Sequence, residues 1–278
     1  MIVATDPFRG AASNYARHFK PYPEDLFRSL VRVCGLTNSS RAVDLGAGTG
    51  QIAIPLARSV ADVLFVDPSD EMVQEGNRIA EAAGVKNINF LVSRSEDLDE
   101  PISTFEIATI AGSFHWMNRE TVLAKLGKMI KPGGCVAIIE PVVDHSEPGE
   151  WKSALMTDLV EFWGGIWPGR PTQRIPHREV LRESDFSDIT ELRHNFEYHW
   201  NIEDLLGWVH GTSLGALASL GDRRDEFSTR VRRLLLSYSP SGFFVERGHV
   251  STMLGYRLSD AMIGREKDQF QPENELKS

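Results

Sequence analysis

Val43-Asp-Leu-Gly-Ala-Gly-Thr-Gly-Gln51 joins a short apolar run to a helix-like one through three glycines spaced two apart. Glycines at such a strand-to-helix turn let backbone approach a nucleoside closely, where side chains would block it. The nicotinamide fingerprint asks for glycine at i, i+2 and i+5. Here the third of those positions is Gln51. Asp44 adds an electrostatic preference. A carboxylate two residues ahead of the first glycine sits where a dinucleotide would place its pyrophosphate, and like charges about 5 Å apart cost roughly 1–3 kcal/mol. The same carboxylate suits a ligand with an ammonium group, so Asp44 with Gly46, Gly48 and Gly50 favours S-adenosylmethionine over a dinucleotide.

Outward from this loop, strand-like and helix-like stretches alternate. Residues 41–45, 62–66, 88–92, 105–111 and 135–139 read as strands. Between them, 52–59, 69–83 and 119–130 carry helical spacing, with Ser69 as N-cap and Gly84 as C′ residue. Near-continuous apolar strands alternating with helices predict a parallel sheet covered on both faces. The expected fold is α/β, a doubly wound, Rossmann-like, mostly parallel seven-stranded sheet with an antiparallel last strand and a helical substrate lid. Ligands of such a sheet sit beyond the carboxyl ends of its strands. Lys131-Pro-Gly-Gly134 reads as a stop-and-turn before the fifth strand. Asp67 closes the second strand, where an acidic side chain can accept both ribose hydroxyls.

The second half breaks the rhythm. Residues 189–200 and 250–258 read as strands, 203–213 and 226–236 as helices. Trp151, Leu155 and Leu159 stand at helical spacing, but Phe162, Trp163 and Trp167 crowd around Gly164-Gly165 and Pro168-Gly169. Aromatic walls there suit an apolar or aromatic ligand. The expected organisation is a helical cap over 1–30, a cofactor-binding core over 31–145, an aromatic lid over 146–187, the rest of the core over 188–262 and a polar tail over 263–278.

Composition removes several function classes. The formal charge of −9 over 278 residues argues against a nucleic-acid binder. No apolar run approaches the ~18 residues of a membrane span, and Met1 to Arg9 has no signal-peptide core. These features predict a cytoplasmic protein without membrane or nucleic-acid partners. The N-terminal segment is a candidate surface for packing on a second copy. Cys34 and Cys135 are too few for a disulfide framework and read as core residues. The histidines lack metal-ligand spacing, so no metal site is expected.

The loop Asp44 to Gly50, the Val66-Asp-Pro-Ser69 strand end and Lys131-Pro-Gly-Gly134 together resemble class I S-adenosylmethionine-dependent methyltransferases. Arg94-Ser-Glu96, Phe114-His-Trp116, Tyr15 and Tyr22-Pro23 are similar to a small-molecule branch that includes ubiquinone/menaquinone-type and trans-aconitate-type enzymes. The resemblance covers about residues 12 to 142. It implies that Asp44, Gly46, Ala47, Gly48 and Gly50 hold the methionine end, Asp67 the ribose, and Ser95 with Glu96 the adenine edge. Pro68, Ser69 and Met72 would lie under ribose and adenine, Ala111 would offer backbone, and Tyr15 would close the site. Where the branch carries Arg-Pro, this chain has Phe19-Lys20, which leaves Arg17 or Lys20 to meet the cofactor carboxylate.

Methyl transfer from a sulfonium needs alignment first, and a base only where the acceptor must lose a proton. His115 and Glu140, after the fourth strand and at the end of the fifth, are the candidate catalytic residues. Tyr22, Phe114, His115, Trp163 and Trp167 are expected around the acceptor. A cyclase or isomerase using the same cofactor, and a noncatalytic cofactor-binding assembly protein, remain open at this point.

Overall fold

The computed structural model describes residues 6–99, 101, 104–144, 150–165 and 175–257. Its helices are α1 (Ala12–His18), α2 (Glu24–Val33), α3 (Ala53–Leu56), α4 (Asp70–Ala82), α5 (Arg119–Met129), α6 (Glu150–Phe162), α7 (His177–Arg182), α8 (Ile202–Gly211), α9 (Leu217–Leu220) and α10 (Arg224–Tyr238). Its strands are β1 (Arg41–Leu45), β2 (Asp62–Asp67), β3 (Ile88–Val92), β4 (Phe105–Ala111), β5 (Ile130–Val143), β6 (Asp188–Asn201) and β7 (Phe243–Tyr256). The seven form one sheet in the order β3-β2-β1-β4-β5-β7-β6. β7 runs antiparallel to both its neighbours, and β1 to β5 pair in parallel.

Both faces of the parallel part of the sheet are covered, which is why β1, β2, β4 and residues 135–139 of β5 lack polar alternation. On β1 and β2, Ala42, Val63 and Phe65 pack with Leu26, Leu30 and Ile54 on one side. Val43, Leu45 and Val66 pack with Val122, Leu126 and Phe186 on the other. Strand order reverses between β1 and β4, so their carboxyl ends splay into a crevice. That crevice holds the site.

Local chemistry revised several expectations. The helix expected over 52–59 is only α3: beyond Leu56 the chain closes in tighter turns, Arg58 N–H to Pro55 O and Ser59 N–H to Leu56 O. Lys131-Pro-Gly-Gly134 does not precede β5 but loops out of it, the register with β4 jumping from Phe105–Ile130 to Ile107–Cys135. Ser69 stands ahead of α4 without a side-chain capping bond, and its hydroxyl donates to Asp6 Oδ2 at 3.2 Å. The final strand begins at Phe243 rather than 250. The charged Glu246-Arg247 pair hides the alternation, and Gly248 admits the Val142 carbonyl where a Cβ would collide.

The stretch expected to be an aromatic lid is partly core. Trp151, Leu155, Leu159 and Phe162 bury one face of α6 against Leu205, Val209, Phe227 and Val231 of α8 and α10. The N-terminal helix is seated by glycines: Gly207 and Gly211, one turn apart on α8, face His18 and the Tyr15 backbone of α1. Cys34 and Cys135 are free thiols with sulfurs 3.1 Å apart. Among the described residues no helix is long and apolar enough to cross a membrane. The expected polar tail, 263–278, lies outside the described residues.

Candidate active site

The glycine loop is built as the spacing requires. Gly46 and Gly48 have φ of 64° and 58°, in the left-handed region that disfavours side chains. A Cβ on Gly46 would fall 2.6 Å from Ser113 Oγ, and one on Gly48 would press on the Tyr15 ring at 3.4 Å. The loop is pinned to β2: Gly46 and Ala47 N–H both donate to Val66 O, and Gly48 N–H donates to Asp67 Oδ2 at 2.8 Å.

Asp44 is not at the mouth of the loop, as the sequence reading had it, but one layer beneath. It is 1% exposed, with Thr109 donating to Oδ1 at 2.7 Å and Ala53 N–H to Oδ2 at 3.1 Å. It is therefore not in the cleft wall, and its charge reaches the cleft through the turn rather than by contact. Burial pushes its carboxyl up to about 7, against the pull of those two donors. Asp67, at the end of β2, does line the cleft. Burial raises its carboxyl to about 6, opposed by the N–H groups of Ser69 and Gly48. Each of its oxygens accepts one backbone hydrogen bond and keeps a lone pair for a hydroxyl.

A cleft of about 310 Å³ opens above this turn. Of the expected cofactor residues, Tyr15, Gly46, Gly48, Asp67, Pro68, Ser69, Met72, Ser95, Glu96 and Ala111 line it. Arg94 and Trp116, from the two motifs quoted above, line it too, as do Asp6, Phe8, Ser113 and Met117, which had carried no sequence signal. Phe8 meets Trp116 edge to face, ring centroids 5.6 Å apart, so the N-terminal segment and the loop after β4 close one side. The charges in the wall are Asp6, Asp67 and Glu96 against Arg94, whose guanidinium faces Glu96 at 3.4 Å. The wall is net anionic. Arg17 and Lys20 do not contribute: Arg17 is exposed, and Lys20 lies over the Trp200 ring at 4.5 Å.

A second group of side chains gathers at the ends of β4 and β5. His115, Glu140 and His177 bring one donor atom each within 4.8 Å of one another, although the sequence had suggested no such cluster of histidines. His177 Nε2 stands 3.7 Å from Glu140 Oε1, which is buried without a hydrogen-bond partner among the described residues. Burial pushes the Glu140 carboxyl up to about 7. Tyr15 and Tyr22 feel the charges of Glu140 and Asp44, and burial holds both phenols well above their ordinary range.

The other residues expected around the acceptor lie elsewhere. Phe114 is fully buried and supports the His177 ring from 5.1 Å. Trp163 donates its indole N–H to Leu214 O at 2.9 Å and packs beside Phe162, away from the cleft. Trp167 lies outside the described residues.

Residues 42–134 match the methyltransferase domain family. This segment is similar to a methyltransferase domain. A ubiquinone/menaquinone biosynthesis C-methyltransferase of Azotobacter vinelandii is 28% identical over 118 residues, 41% of this chain and 47% of that protein. Its counterpart in Ectopseudomonas mendocina is 27% identical over 140 residues, 49% and 53%. The chain spans about half the length of the curated relatives it matches. In fold, it is similar to a protein described as a type II methyltransferase from Anaeromyxobacter dehalogenans, with a TM-score of 0.58, 20% identity, and coverage of 87% and 99%. It is also similar to the YcgJ protein of Bacillus subtilis, with a TM-score of 0.55, 14% identity, and coverage of 85% and 100%.

The cleft over this matched segment suits S-adenosylmethionine. A wall with three carboxylates and one paired guanidinium favours a ligand carrying a sulfonium and an ammonium, and opposes a diphosphate. The turn leaves no room for a Cβ at Gly46, and Asp67 retains the lone pairs that a ribose diol would fill.

Proposed function

We propose that the chain is an S-adenosylmethionine-dependent methyltransferase acting on an apolar or aromatic small molecule, with in-line transfer to a carbon, oxygen or nitrogen acceptor. The observation that carries this reading is the anionic cleft over the glycine turn of the matched segment. When bound, the cofactor supplies a sulfonium methyl group with a neutral thioether leaving group. The chain's own residues bind and orient. Asp67 holds the ribose hydroxyls, Ser95 and Glu96 the adenine edge, and the turn from Gly46 to Gly50 the methionine end, with the Asp44 charge beneath it.

Positioning of this kind can lower a barrier by about 7–11 kcal/mol. Glu140 and His115 are the groups placed to accept a proton from the acceptor, beyond Tyr15 and Tyr22. That the acceptor is apolar is supported by the burial of those phenols and by Phe114 under the cluster. The test is incubation with the cofactor and a panel of phenols, quinols and aliphatic acids, read by mass spectrometry. Gain of one methyl group on an apolar acceptor is the expected outcome; methylation of highly charged acceptors alone would contradict the substrate class.

A further inference from the structure

Arg119 is 2% exposed and is the largest fully buried side chain among the described residues. Its Nη1 donates to Ile175 O at 2.7 Å and lies 3.1 Å from His177 Nδ1. A guanidinium has only donors, so His177 Nδ1 must accept. In the neutral ring the proton is then on Nε2, the nitrogen that faces Glu140 Oε1 at 3.7 Å. Burial and the Arg119 charge both hold His177 in the neutral form. His115 from the loop after β4 also reaches this cluster, and the Glu140 charge acts on the Tyr15 and Tyr22 phenols of the N-terminal segment.

The same contact decides between two uses of the cluster. A metal-bound histidine donates its second ring N–H to a carboxylate or carbonyl. Here the second nitrogen receives a hydrogen bond instead, so the lone pair a metal would need on Nε2 is occupied by a proton.

We propose that Arg119, His177 and Glu140 form a proton-accepting site. Arg119 fixes the His177 tautomer, His177 positions the Glu140 carboxylate, and the acceptor is a neutral molecule whose nucleophilic atom carries a proton, such as a phenol or enol. This rests on the methyltransferase reading. The acceptor proton passes to Glu140 as its electron pair bonds to the methyl carbon. The carbon–sulfur pair remains on sulfur, and Glu140 later returns the proton to solvent. Catalytic hydrogen bonds are often long without substrate and tighten in the complex, which fits the 3.7 Å separation. Arg119 and His177 are positioning residues that act through Glu140.

The test is NMR of the full chain with labelled histidine and glutamate side chains, with Glu140→Gln to assign the Glu140 signal. The expected result is a wild-type His177 in the Nε2–H tautomer across about pH 6 to 8, lost in Arg119→Met. The Glu140 midpoint moves upward in His177→Leu, and returns in His177→Gln, which restores an N–H donor. A purely structural role would leave that midpoint unmoved, so an unchanged midpoint overturns the proposal, as does an Nδ1–H tautomer in the wild type. Cobalt(II) is the metal probe. One equivalent bound by the wild type and released by His177→Gln would make the cluster a metal centre instead. Because the wild-type tautomer is read directly, the test survives a variant that fails to fold. Calorimetry of the wild type with S-adenosylmethionine tests the methyltransferase reading separately: failure there leaves the tautomer result standing, and the reverse.

Discussion

Thr109 on β4 donates its hydroxyl to Asp44 on β1 at 2.7 Å, across two strands at the point where the sheet order reverses. That bond holds a carboxylate beneath the turn that would carry the cofactor's methionine end. A carboxylate so enclosed costs stability in the free chain and is offset when a cation sits above it.

Asp44→Asn is therefore expected to separate stability from binding. Removing a charge beside a cation site typically costs about 1–3 kcal/mol, so Kd for S-adenosylmethionine rises about 10- to 100-fold. The free variant unfolds at equal or higher urea concentration than the wild type at about pH 8. Equal affinity in isothermal calorimetry would show that the Asp44 charge does not reach the ligand.

Stability of the free chain should fall with alkaline pH. Asp44 and Glu140 are raised to about 7 and Asp67 to about 6, so the folded chain holds protons that the unfolded chain has released. Their contribution is complete below about pH 4 and is lost as pH rises through the folded values. His177, His194 and His210, whose values burial lowers, work in the opposite sense only below about pH 6.5. Urea unfolding between about pH 6.5 and 8 should lose on the order of 1–2 kcal/mol, less in Asp44→Asn. A gain over that window would contradict the raised carboxyls.

The seat of α1 gives a third outcome. A Cβ at Gly211 falls 3.0 Å from the Tyr15 backbone, which cannot swing aside, whereas one at Gly207 meets only the His18 ring. Gly211→Ala is expected to cost about 1–3 kcal/mol and to weaken cofactor binding, because Tyr15 lines the cleft. Gly207→Ala should cost less. Thermal unfolding and calorimetry of the pair check the order, and the reverse order would contradict the packing.

Lys152 Nζ lies 3.1 Å from Glu246 Oε2 and 3.7 Å from the centre of the Trp208 ring, and Trp200 donates its indole N–H to the same oxygen at 2.8 Å. Lys152→Met leaves a buried carboxylate without its cation and should cost about 3–5 kcal/mol. Adding Glu246→Gln should recover most of that, which a double-mutant cycle measures.

The first five strands were legible because parallel strands covered on both faces leave unbroken apolar runs, as in Val43, Leu45 and Val63 to Val66. Asp67 was legible as a cleft residue because it ends β2 on the ligand edge, and Ser95 and Glu96 because Arg94-Ser-Glu96 is a motif that carries the resemblance. The depth of Asp44 was not, because sequence position cannot tell whether a side chain faces the mouth or the strand beside it. Thr109, which decides this, lies 65 residues away. His177 and Arg119 stayed hidden for the same reason: their neighbours His115 and Glu140 come from two other elements. Phe162 and Trp163 misled, since aromatic residues near glycines read as a lid while their packing with α8 and α10 depends on residues far along the chain.

Titration calorimetry of the purified chain, with S-adenosylmethionine and NADH injected separately at low ionic strength, weighs the sign of charge in the cleft most directly. The anionic wall formed by Asp6, Asp67 and Glu96 predicts one site for the sulfonium nucleoside and no measurable heat of binding for the diphosphate. Tight NADH binding without S-adenosylmethionine binding would contradict it.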